Sequence, residues 1–188
     1  MNAKQLAHIF STTAPLQAHR ADNMTATVVF LLFYWRTNWR ILTIQKTNTQ
    51  GYPWANQVAL PGGHVDVQDA SPLAAAFREL EEETGIQSVE VNVFGSLGHF
   101  PTIAGKDIEV FAGLWKTPRH LSVISNEIAR VLELDVHSAL QTHVQCGYVG
   151  RLPPVTELVY PIDDTYIWGA TARIIHRVCE LWITHETL

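Results

Sequence analysis

A chain of 188 residues is long enough for one well-buried core and short for two ordinary domains, so the expectation is a single domain over 1–188 with 1–23 as an N-terminal extension. Hydrophobic residues make up 47% and charged residues 16%, and a formal charge of −5 lacks the basic footprint of a nucleic-acid binder. The apolar run at 28–35 stops at Arg36, far short of a bilayer span, and His8, His19, Arg20 and Asp22 ahead of it do not read as a signal peptide, so no membrane partner is expected.

Cys146 and Cys179 carry no spacing that demands a bridge, which suits a reducing, cytoplasmic setting. The apolar content, with six tryptophans, makes a homodimer a reasonable arrangement.

In chain order, residues 3–10 predict a short helix covering a sheet, and 12–22 a connection. Residues 25–35 and 40–46 predict a hairpin turning at Thr37-Asn38-Trp39, and the unbroken apolar run from Val28 to Phe33 predicts a strand buried on both faces. Gln50-Gly51-Tyr52-Pro53 marks a loop. Tyr52 or Trp54 in that region could stack on an adenine, although filling the loop's own interior is the simpler role.

The next helix is the most legible element. Ser71 is placed to be its N-cap, Pro72 its first residue, and Gly85 its end. Leu73, Phe77, Leu80 and Thr84 recur at steps of four and three, so one face packs against a sheet. Beyond it, strands are expected near 89–100 and 108–115, bracketing a turn at 102–106, with His99 in a structural role. Residues 116–125 read as a loop, 131–134 as a strand and 135–140 as a short helical turn. Pro153-Pro154 breaks regularity within 141–165, where 155–160 reads as a late strand. Ile167-Trp168 then leads into a helix whose apolar face, from Thr171 to Trp182, serves packing.

Chemistry concentrates in the helix of 72–84. Glu79, Glu82 and Glu83 stand at i, i+3 and i+4, so their side chains share a face of two turns. Arg78 can pair with Glu82 at i+4 but cannot neutralise the whole group. Exposed like-charge pairs cost only about 0.2–0.5 kcal/mol each, so a solvated acidic face is the plain alternative. Carboxylates are hard oxygen donors, and several on a rigid helix suit Mg²⁺ or Mn²⁺. Gly62 and Gly63 just before them allow a tight turn and could present N–H groups to a phosphate. Together these features fit phosphoanhydride chemistry.

Residues 63–86 resemble the Nudix hydrolase box. Arg78-Glu79-Leu80-Glu81-Glu82-Glu83-Thr84-Gly85-Ile86 matches its second half throughout, whereas Asp69 stands where the first half carries Glu, with one extra residue before Arg78. The variant Pro61-Gly62-Gly63, Asp66, Asp69 resembles the coenzyme A pyrophosphatase branch, as do Ile41-Leu42-Thr43 and the segment Ile167-Trp168-Gly169-Ala170-Thr171-Ala172-Arg173. That branch has an arginine after its apolar-Leu-Thr strand; this chain has Gln45-Lys46, a point charge in place of a bidentate fork.

The resemblance implies an α/β Nudix-like α/β/α sandwich with a mixed β-sheet. It implies Glu79, Glu82 and Glu83 as ligands of Mg²⁺ or Mn²⁺, Arg78 as the residue orienting them, and Glu127 as a further ligand or the base that activates water. Asp66 and Asp69 would steady the loop, and Lys46, Gly62, Gly63, Tyr52 and Trp54 would face a nucleotide-containing small-molecule substrate. The expected reaction is hydrolysis of a pyrophosphate in a nucleoside diphosphate derivative, coenzyme A first and ADP-ribose or another dinucleotide-like compound second. A non-catalytic nucleotide-binding module is the reading from a different class.

Overall fold

The computed structural model describes residues 1–18, 27–49, 54–103, 107–123 and 125–186. Tyr52 and the rest of the loop at 50–53 lie outside the described residues, as does Asp22.

Helix α1 (Ala3–Thr12) opens with a capping box in which Asn2 accepts from the Gln5 backbone and Gln5 answers on Asn2. Strands β1 (Thr27–Trp35) and β2 (Trp39–Lys46) form the expected hairpin. Val28 through Tyr34 are all buried, as the run without alternation requires. β1 then pairs in parallel with β6 (Asp107–Trp115), which pairs antiparallel with β5 (Val91–Pro101). On the other side β7 (Ile128–Asp135) lines the outer edge of β2. The sheet is therefore mixed.

The two strands of the hairpin touch only at its closed end, from Phe33 to Ile41 onwards. Farther along they part, and two short strands fill the fork: β3 (Val58–Ala59) on β2 and β4 (Gly62–His64) on β1. This fork delivers the Gly62-Gly63 turn beside the acidic helix.

Alternation along β1 assigns its two faces. Val28, Phe30, Leu32 and Tyr34 pack with Ala75, Ala76 and Leu80 of α2 (Pro72–Thr84), while Val29, Leu31 and Phe33 join α1, α3 (Val136–Gln145) and α4 (Gly169–Glu186). Helices thus cover both sides, giving the α/β/α sandwich. Ser71 caps α2 through the Ala74 N–H, a contact worth about 1 kcal/mol, and Gly85 ends it at φ 70°, where a side chain would be strained.

The chain after α1 is stitched to the free edge of β5. Leu16 donates to the Leu97 carbonyl, and its own carbonyl accepts from His99. A Cβ on Gly98 would come within 2.1 Å of the Leu16 backbone, so only glycine admits this approach.

Two expectations need correction. The helical turn at 135–140 is a ten-residue helix, because Asp135 caps it through the Ser138 N–H and its far end is anchored by buried His143. The late strand is not 155–160. Pro153-Pro154 is followed by a turn, and the strands are β8 (Tyr160–Ile162) and β9 (Thr165–Ile167), a separate hairpin.

Candidate active site

The carboxylates of α2 are sorted by how far each points into the fold. Side-chain exposure is 58% for Glu82, 17% for Glu79 and 5% for Glu83. Glu83 lies on the turn that faces the fork. One of its oxygens is 2.6 Å from the Lys46 ammonium and the other accepts the Gly62 N–H at 2.9 Å. Burial pushes the Glu83 carboxyl up, and Lys46 and the Gly62 amide pull it back. Glu79 also lies close enough to raise it.

Glu79 packs on the next glycine. A Cβ on Gly63 would stand 2.4 Å from the Glu79 carboxylate carbon, so the missing side chain is the space that carboxylate uses. Each glycine therefore serves one glutamate. The Gly62 N–H, expected to face a phosphate, is engaged by Glu83 instead.

Arg78 gathers the remaining acids. Its Nε and Nη2 form a fork on Asp69 at 3.1 and 3.0 Å, Nη2 also donates to the His64 carbonyl, and Nη1 reaches Glu79 at 2.9 Å and Glu82 at 3.3 Å. The Arg78 guanidinium holds the Asp69 carboxyl below its ordinary range, helped by the Asp66 N–H. The loop of 64–71 is thereby tied to the helix it precedes.

Glu127, in the connection to β7, is 68% exposed and 3.7 Å from the Lys46 ammonium. It joins the group from a distant part of the chain. Trp54 is 45% exposed in the connection between β2 and β3.

Lys46, expected from the resemblance to face substrate, has a side chain only 11% exposed, and its ammonium is directed at Glu83 and Glu127. An apolar-to-polar switch at the end of β2 was visible in the sequence; its partner 37 residues away was not.

Glu79, Glu82 and Glu83 do not close into one compact trio in this conformation, since Arg78 draws the first two and Lys46 the third. The donor set still fits a hard divalent cation. It offers carboxylate oxygens at three depths on one rigid helix, with the Glu79 carboxylate in the space that a side chain on Gly63 would take.

The NUDIX domain model matches residues 24–143, well over half of the chain. The chain belongs to the Nudix family. It is 35% identical over 132 residues to an uncharacterised Nudix hydrolase NudL of Photorhabdus laumondii, covering 67% of this chain and 68% of that one. It is 33% identical over 135 residues to the NudL of Citrobacter koseri, covering 66% of each. The chain thus spans about two thirds of the length of these relatives. A Nudix hydrolase from Mycobacterium smegmatis, RenU, shares the fold at a TM-score of 0.57 and 16% identity, over 90% of this chain and 88% of that one.

A second cluster occurs on the opposite face of the sheet. His143, His176 and Glu180 offer ligand atoms within 4.8 Å of one another, a donor set that suits a divalent ion. Each is already engaged: His143 bonds Tyr160 and Glu180, both at 2.8 Å, and His176 bonds the Arg151 carbonyl at 2.9 Å. The described residues include no helix long and apolar enough to cross a membrane.

Proposed function

We propose that this Nudix chain is a divalent-metal-dependent hydrolase of the pyrophosphate linkage in a nucleoside diphosphate derivative. The observation that carries the reading is the arrangement of Glu79, Glu82 and Glu83 on α2 between the Arg78 fork and the buried Lys46. A cluster this acidic repels a phosphorylated substrate on its own, which is why Mg²⁺ or Mn²⁺ belongs to the proposal.

Glu79, Glu82 and Glu83 would hold the cation. Once bound, it lowers the pKa of an attacking water and offsets charge on the pyrophosphate oxygens. Lys46 favours the ionised form of Glu83 against the effect of its burial, and Arg78 would aim Glu79 and Glu82. Glu127, solvent-open and beside Lys46, would take the proton from water. Attack on one phosphorus breaks the P–O–P bond, and each product leaves with one of the two phosphates.

Coenzyme A is the first candidate substrate, giving 3′,5′-ADP and 4′-phosphopantetheine. Its support is the Pro61-Gly62-Gly63, Asp66, Asp69 pattern and the segment 167–173. ADP-ribose is the second, because the carboxylates specify the linkage more than the groups flanking it. Trp54, exposed near the fork, is the proposed stacking residue, and a homodimer in a cytoplasmic setting completes the picture.

The test is product identification after incubation with coenzyme A, ADP-ribose and NADH in Mg²⁺ or Mn²⁺. Cleavage at the pyrophosphate supports the proposal, and the products name the substrate. Nucleotide binding without turnover would instead mark a binding module.

A further inference from the structure

We propose that the cleft between α4, β5 and the α3–β8 connection is an anion site for a phosphomonoester. It is independent of the α2 chemistry, because α4 packs on the other face of the sheet.

The cleft has a volume of about 530 Å³, and its walls bring together His99, Arg151, Arg173, His176, Arg177 and Glu180. Three arginines and one glutamate therefore line this cleft in a chain whose overall charge is −5. One oxygen of that carboxylate is engaged elsewhere: Glu180 Oε1 accepts from the Gly150 N–H at 2.9 Å and pairs with His143 at 2.8 Å.

Arg173 and Arg177 lie one turn apart on α4, where like charges repel. The Nε of each is buried and has no hydrogen-bond partner. Buried donors of this kind are costly to leave unmade, so both guanidiniums gain by turning toward an acceptor that enters the cleft. A phosphate suits them, since its oxygens match the planar guanidinium fork and accept several bonds at once. His176 adds a ring fixed by the Arg151 carbonyl.

Size sets the ligand class. The space lies in the range of small-molecule pockets and exceeds a bare phosphate. Leu16, Phe100 and Leu152 line the remainder and offer apolar contact to the organic part of a phosphomonoester.

The experiment uses the full chain without divalent cations, with inorganic phosphate and phenyl phosphate as probes. Arginines are modified by phenylglyoxal and mapped by mass spectrometry, while binding is measured by calorimetry. Both probes should protect Arg173 and Arg177 but not the exposed Arg36, with phenyl phosphate binding more tightly. The double variant R173Q/R177Q should weaken binding about tenfold or more, and E82Q should leave it unchanged.

Equal labelling with and without probe, or no labelling of these two arginines under any condition, would overturn the proposal. So would binding lost in E82Q and kept in R173Q/R177Q, which would send the anion to α2. If the double variant does not fold, protection in the native chain decides.

Discussion

The Lys46 ammonium stands 2.6 Å from Glu83, and both side chains are nearly sealed from solvent. A buried pair of this kind contributes little net stability, but losing one member strands the other charge. Replacing Lys46 by Met should therefore cost about 3–5 kcal/mol in urea unfolding. It should also move catalysis. Burial already raises the Glu83 carboxyl and Lys46 lowers it, so removing Lys46 raises it further. The acid limb of the kcat/KM profile should shift to higher pH, and an unmoved limb in a folded K46M would detach Glu83 from the reaction.

Glu82 and Glu83 should separate activity from stability. Glu82 is more than half exposed, so E82Q should change stability by no more than about 0.5 kcal/mol while lowering kcat a hundredfold or more. E83Q should lose activity and also destabilise the fold, because Lys46 keeps its charge without its close partner. Parallel melting and kinetic measurements on both variants check the pair.

Gly63 tests positioning without removing a ligand. In G63A the new methyl would overlap the end of the Glu79 side chain, a flexible group able to swing aside. Stability should change by about 1 kcal/mol or less, while activity falls because Glu79 has moved. Wild-type turnover in G63A would show that the Glu79 position is not required.

His143 makes the fold sensitive to acid. Burial holds its pKa below the ordinary 6.5, with the nearby His176 acting in the same direction and Glu180 opposing. A folded pKa below the unfolded one means that the unfolded chain binds the proton first. The His143 contribution is thus complete above pH 6.5 and is lost as pH falls below it. Stability measured from pH 7.5 to 5 should decline, and H143Q, which keeps polar contact to Tyr160 within reach, should flatten that slope.

Much of the molecule could be read directly from residue order. Ser71, Pro72 and Gly85 bound α2 because capping is local chemistry, and the apolar run in β1 reports burial on both sides. The glutamates were visible as an i, i+3, i+4 set for the same reason. What could not be read depends on distant partners. β3 and β4 are two and three residues long and exist only because β1 and β2 diverge. Helical spacing placed Glu83 beside Glu79 and Glu82 but not its burial against Lys46. Helix α3 runs to Gln145 because His143 finds Tyr160 and Glu180 across the fold, and no periodicity records that.

The Leu16 contact to β5 also bears on how the protein stays apart from its neighbours. A bare outer strand exposes amide and carbonyl groups that another polypeptide can dock onto, the first step of sheet-to-sheet clumping. Two backbone bonds from a single leucine occupy that border, and the bend at Gly98 lets the covering segment lie flush. Cutting away the first 18 residues would uncover this border together with the apolar seat of α1, and the shortened chain should clump through the strand laid bare.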